Sequence, residues 1–150
     1  MDTRWQTSSF EALRVTELYQ LLRLRSEVFV VEQNCIFLDM DNNDQQCWHL
    51  LGWKGHLLAA ASRLVPAGLL YEEISIGRVV SSPLARGQGI GRALMEQSIR
   101  EAHRLFGKND IRIGAQLYLE NFYGSLGFAR AGEVYIEDGI PHVEMIARYR

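Results

Sequence analysis

The chain has 150 residues, of which 47% are hydrophobic, and 16 basic and 18 acidic side chains leave a net charge of -2. That length and apolar content suit one domain over residues 1–150 whose core needs no disulfide or metal staple. The arginines are dispersed among acids, which argues against a polyanion-binding surface and so against nucleic acid as a partner.

No run of eighteen apolar residues occurs and Met1–Gln6 has no leader character, so a cytoplasmic protein without a membrane partner is expected. Cys35 and Cys47 are too far apart for a Cys-x-x-Cys pair, and the histidines lack i, i+4 spacing, so no metal is expected and a reducing compartment is. After a short strand near Arg4–Thr7, Thr16 is positioned to cap a helix reaching Glu32, with Leu18, Leu21, Leu22, Val28 and Phe29 on one face. Leu18, Arg25 and Glu32 are seven residues apart and should point the same way, towards the core or a cleft. An internal ion pair and a role towards a substrate explain such charges equally well. The segment from Asn34 to Gln46, with Asp39, Asp41 and Asp44, is expected to be a solvated, partly mobile loop.

Trp48–Trp53 and Leu57–Val65 read as a hairpin around Lys54-Gly55-His56, and a central strand should run from Tyr71 to Val80. That strand ends at Ser81-Ser82-Pro83, and helical periodicity resumes only after Gly87, Gly89 and Gly91. Strand, glycine turn and helix together make an anion cradle: glycines let several N–H groups face one ligand, and the helix dipole favours negative charge there. Arg86 and Arg92 flank the cradle. The spacing lacks the third glycine of a dinucleotide fingerprint and the Gly-Lys-Ser/Thr of a nucleotide-triphosphate loop. The helix should run to Phe106, buried through Leu94, Met95, Ser98, Ile99, Ala102, Leu105 and Phe106, and end at Gly107. A strand from Asp110 to Gln116 then lies parallel to the central one. Leu119, Phe122, Tyr123 and Leu126 form a further helical stripe closed by Gly127. Phe128–Ile136 and His142–Ala147 read as strands joined through Asp138-Gly139.

Arg86-x-x-Gly89-x-Gly91 between a Val-Val strand and a helix resembles the pyrophosphate arm of the GNAT acyltransferases. Phe122-Tyr123 before Leu126-Gly127-Phe128 resembles the helix on the acyl-CoA side of that fold, with Tyr123 where the family places a tyrosine near the cofactor sulfur. The segments Leu24–Gln33, Ile76–Val79, Gly114–Gln116 and Asp138–His142 look like the ElaA-type branch, over nearly the whole chain. Two positions depart from the wider pattern, Ser81 where an aliphatic residue is usual and Gln116 where many relatives have asparagine.

The resemblance implies an α+β fold: a mixed, mostly antiparallel twisted sheet flanked by helices, with one central parallel pair. It also implies acetyl-CoA as co-substrate, held by Val79, Val80, Ser81, Arg86, Gly87, Gln88, Gly89, Gly91 and Arg92, and a primary amine, small or peptide-borne, as acceptor. Main-chain N–H groups at the end of the central strand would stabilise the oxyanion, and Tyr123 would act as acid at the thiolate. An ammonium has no lone pair, so a base or water chain is needed. Glu73 is set beside Tyr123 as catalytic, with Glu32 and His142 as other bases. Arg25, Glu32, Arg78 and His142 are assigned to the acceptor, with structural ion pairing an equal explanation for Arg25 and Arg78. An acyl-homoserine-lactone-synthase-like enzyme and a non-catalytic acyl-CoA sensor stay open, as does a homodimer.

Overall fold

The computed structural model describes residues 2–150. Strand β1 (Arg4–Ser9) leads to helix α1 (Val15–Arg25), which continues as a π-helical segment over Ser26–Glu32. Strands β2 (Trp48–Lys54), β3 (Leu57–Val65) and β4 (Ile74–Ser81) precede helix α2 (Ile90–Phe106). Strand β5 (Ile111–Gln116), the short helix α3 (Glu120–Gly124), and strands β6 (Ala129–Arg130), β7 (Tyr135–Glu137) and β8 (Ile140–Ala147) complete the chain. The strands form one mixed sheet in the order β1-β2-β3-β4-β5-β8-β6, with β7 also paired to β8. Among the described residues only β4 and β5 run parallel, and they pair at Ile74–Ile111 and Ser75–Arg112.

Side chains alternate across a strand, so each buried strand feeds two cores. Leu50, Ala60, Ile74, Ile76, Ile111 and Ile113 pack with Leu94 and Met95 of α2, while Leu51, Ala61 and Val80 pack with Leu21, Leu24 and Val28 on the opposite face. Val80 changes face because of a bulge. Ala61 pairs with Val80 but Arg63 pairs with Gly77, so Arg78 and Val79 together oppose Ser62 alone. One extra residue flips the side-chain alternation, and the left-handed backbone of Arg78 (φ 47°) absorbs the turn.

The N-terminal helix departs from its expected form twice. Thr16 is not its cap: the helix begins at Val15, and the Glu17 carboxylate reaches back to accept the Arg14 N–H at 2.8 Å. Glu17 is placed to satisfy a donor that the first turn leaves free, whereas Thr16 is already helical. The π segment adds a residue per turn, so Glu32 leaves the line of Leu18 and Arg25. Arg25 is 1% exposed, and Glu32 lies in solvent.

The expected strand from Phe128 to Ile136 is two short pieces, β6 and β7, and the helix after Gln116 has a single α turn preceded by a 3₁₀ turn over Leu117–Leu119. Asp138 and Gly139 both have positive φ (50° and 77°), the conformation of a tight two-residue hairpin turn.

Candidate active site

The bulge and the short β4–β5 pairing open the middle of the sheet. Beyond Ser75 and Arg112 the two strands diverge, so the β5-facing peptide groups at the end of β4, around Val79, Val80 and Ser81, have no partner strand. Peptide groups left this way pair readily with a ligand that carries amides of its own.

The glycine turn lies directly after this opening. Gly87 and Gly89 have φ of 85° and 73°, which a side chain would strain, and Gly89 is the N-cap of α2. Among the described residues no side chain caps this helix, which leaves its first N–H groups to a ligand or water. A Cβ on Gly87, Gly89 or Gly91 would meet nothing within 4 Å, so the turn borders open space. Gln88 accepts a hydrogen bond from Lys54 Nζ at 2.6 Å, and Arg92 donates to Ser125 Oγ at 2.9 Å, which ties the start of α2 to the end of α3. Arg86 donates to both oxygens of Glu32, at 2.8 and 2.7 Å, and to the Ser81 carbonyl at 3.2 Å. The hydrogen bond from Arg86 holds the Glu32 carboxyl below its ordinary value.

Tyr123 is buried beside Phe122 and Phe128, whose rings meet it edge-on with centroids 5.2 and 6.0 Å away. Burial pushes its phenol up to about 12, with Tyr118 adding to the effect, so it carries its proton at neutral pH. Tyr123 shares a core with Ala115 of β5 and Val143 of β8. The next positions, Gln116 and His142, are cross-strand partners on the opposite face by alternation. The Nδ1 of His142 lies 2.7 Å from the Ile140 carbonyl, and its ring stacks on Tyr135 with centroids 5.7 Å apart. A carbonyl only accepts, so Nδ1 carries the hydrogen, and Nε2, 3.7 Å from Glu137 Oε2, is the nitrogen left to take a proton. Gln116 Nε2 reaches Gln33 Oε1 at 3.5 Å.

Three of the expected site residues stand elsewhere. Glu73 precedes β4 at its far end, eight residues from Ser81 and so roughly 25 Å along an extended strand. Both its oxygens accept from Arg112 at 3.0 Å, which removes it as a base for this site. Arg25 is enclosed and cannot reach an acceptor, and Glu32 faces the glycine turn rather than the acceptor side. Arg78 remains at the opening, a quarter exposed, with its guanidinium 6.0 Å from the Phe37 ring.

The acidic segment is not a loose loop. Asp39 and Asp44 are buried, and with Asp41 they close a ring of ion pairs. Arg25 meets Asp39 at 2.8 Å and Asp44 at 2.9 Å, and Arg63 meets Asp41 at 2.8 Å and Asp44 at 3.0 Å. Arg78 meets Asp39 at 2.8 Å and Asp41 at 3.5 Å. Each charge thus has two opposite neighbours. Burial alone would raise the Asp41 and Asp44 carboxyls, but hydrogen bonds and charge from Arg63 and Arg25 outweigh it and hold both below the ordinary value. His49 donates from Nε2 to the Asp44 carbonyl at 2.9 Å, and burial pushes its ring below the ordinary imidazole value. The ring of ion pairs joins α1, the acidic segment, β3 and the β4 bulge, so it fixes the strand end that borders the opening. An internal ion pair is one of the two readings the sequence allows for Arg25, but its partners are not legible there; the available sign is three arginines within otherwise apolar elements and three aspartates in one short polar segment.

Concavities elsewhere on the described residues do not take in this site. One of about 230 Å³ is bordered by Arg4, Arg14 and Trp53, and one of about 590 Å³ by Glu73, Phe106 and Tyr149. Neither includes Tyr123 or a residue of the glycine turn.

Comparison with known proteins agrees with this geometry. Residues 37–148 match the family model described as an acetyltransferase (GNAT) domain. The chain is 42% identical to protein ElaA of Escherichia coli over 143 residues, 94% of each chain. The crystal structure of that protein superposes with a TM-score of 0.91, covering 97% of this chain and 99% of the other. An acyl-CoA N-acyltransferase from Pseudomonas aeruginosa is 41% identical with a TM-score of 0.92, again covering 97% and 99%. The acyl-homoserine lactone synthase LasI has a TM-score of 0.80 at 12% identity over 97% of this chain and 89% of its own, which shows a shared fold alone. The chain belongs to the GNAT acetyltransferase family, and its mixed sheet with one parallel pair is that family's fold.

Proposed function

We propose that this GNAT protein moves an acetyl group from acetyl-CoA to a primary amine by direct attack. The observation that carries the reading is a convergence. The uncapped glycine turn with Arg86 follows the unpaired end of β4, and Tyr123 is buried in the core that Val79 of β4 and Ala115 of β5 also border.

In this reading the first turn of α2, with Arg86, Gly87, Gln88, Gly89, Gly91 and Arg92, takes the pyrophosphate. The amides of the pantetheine arm pair with β4 in place of a strand, which brings the thioester beside Val79, Val80 and Ser81. A main-chain N–H there stabilises the oxyanion, a contribution of roughly 3 kcal/mol per donor in other enzymes. Tyr123, protonated because burial disfavours the phenolate, donates to the sulfur as the thiolate leaves.

The amine approaches from the opposite face, where the Nε2 lone pair of His142 is the acceptor for its proton, directly or through water, with Gln116 beside it. The Arg78 guanidinium and Phe37 ring border the same side and would contact the acceptor. Among the described residues no helix is long and apolar enough to cross a membrane, and we place the reaction in the cytoplasm with a soluble acceptor.

Calorimetric titration with acetyl-CoA, followed by thiol release with a panel of primary amines, tests the reading. Micromolar binding and turnover with at least one amine are expected. Tyr123→Phe should lower kcat by about a hundredfold with acetyl-CoA affinity retained. Ionisation of Tyr123 should not lower the wild-type rate at the ordinary phenol value of about 10, because burial raises that group and the neutral phenol is the active form. A folded protein that does not bind acetyl-CoA would overturn the reading, and binding without turnover would identify a sensor.

A further inference from the structure

Among the charged groups of the glycine turn, one pair already holds an anion. Arg86 meets Glu32 through two parallel contacts, Nη1 to Oε2 at 2.8 Å and Nη2 to Oε1 at 2.7 Å, the arrangement in which a guanidinium also takes two phosphate oxygens. Arg92 by contrast is held by the neutral Ser125 hydroxyl, with the Glu96 carboxylate only at 4.0 Å. The two partners of the Arg86 pair are 54 residues apart, and the π segment brings them together. In a continuous α-helix Glu32 would lie almost over Arg25, two turns away, and face the ring of ion pairs. The extra residue per turn carries it to Arg86 instead. Both side chains remain about 40% exposed, so water can solvate each while the pair opens.

We propose that Glu32 is an internal competitor for the pyrophosphate position and sets the affinity of the turn for CoA. It holds Arg86 in the free protein, yields to the pyrophosphate, and returns to Arg86 as product CoA leaves. A donor that lacks phosphates does not reach Arg86 and is indifferent to Glu32. The proposal rests on Arg86 being the pyrophosphate arm, and the experiment separates the two.

The full chain is titrated calorimetrically with acetyl-CoA and with acetyl-pantetheine, and CoA dissociation is followed by stopped flow. Glu32→Gln and Glu32→Ala should each bind acetyl-CoA about three- to fivefold tighter than the wild type, the scale of an exposed ion pair, with slower CoA release. Acetyl-pantetheine binding should not change. In an Arg86→Gln background, Glu32→Gln should have no effect. Unchanged or weaker acetyl-CoA binding in both single variants, with native circular dichroism, overturns the proposal. So does a gain that persists in the Arg86→Gln background, since it would come from removing a nearby charge and not from freeing Arg86. If Arg86→Gln alone binds acetyl-CoA as the wild type does, Arg86 is not the pyrophosphate arm and the reading beneath the proposal falls with it.

Discussion

Arginine and carboxylate meet in two places beside the opening, and the two do opposite things. In the ring of Arg25, Asp39, Arg78, Asp41, Arg63 and Asp44, three positive and three negative charges are closed on one another, with Arg25 and Arg63 almost fully enclosed. In the pair of Arg86 with Glu32, the same chemistry sits in solvent beside an uncapped helix. Burial decides the difference. Enclosed charges cannot exchange partners for water, so the ring is a fixed support for the bulge in β4. Exposed charges can, so the pair at the turn is free to give way to a ligand.

The largest expected effect comes from opening the ring. Asp44→Ala leaves Arg25 and Arg63 short of a partner in the interior and should destabilise the fold by about 3–5 kcal/mol in urea denaturation. A loss below about 1 kcal/mol would mean that water enters the cluster and that burial does not separate the two regions.

Acid makes the same break without a mutation. Asp41 and Asp44 titrate below their ordinary value of 3.8 in the folded chain. Their contribution is therefore complete above that pH and is lost as the pH falls below it towards the depressed values. Stability should be flat from pH 7 down to about 5 as far as these two groups are concerned, and fall steeply below about pH 4. Asp44→Ala should blunt that fall.

At the other region the effect should appear in binding and not in folding. Arg86→Ala should weaken acetyl-CoA binding about tenfold or more, the scale of a lost charge-assisted hydrogen bond, while moving stability by less than about 0.5 kcal/mol. The smallest effect separates the regions by screening. Raising salt from about 0.1 to about 0.5 M should weaken acetyl-CoA binding severalfold and leave the stability difference between wild type and Asp44→Ala almost unchanged, because buried pairs are screened much less.

What can be read in the sequence is local. The apolar stripe of α2, the apolar runs of β2 and β3, the glycine turn and the Asp138-Gly139 hairpin each follow from neighbouring residues through backbone sterics and periodicity. The order of residues is enough to place them. The motifs around Arg86 and Tyr123 are legible as a resemblance for the same reason, since each is a short continuous stretch.

What only the tertiary structure decided involves residues distant in sequence or a shift of register. Arg63 lies on a strand that pattern alone describes as apolar, and nothing nearby says that Asp41 and Asp44 will reach it. Glu73 suits a base by its residue type, but a strand has two ends and only the fold shows that Glu73 stands at the far one, held by Arg112. On α-helical spacing Glu32 is a neighbour of Arg25, and the π segment moves it to Arg86. Local sterics act between adjacent residues and are written in their order. Charge pairing acts through space, so its partners exist only once the chain has brought them together.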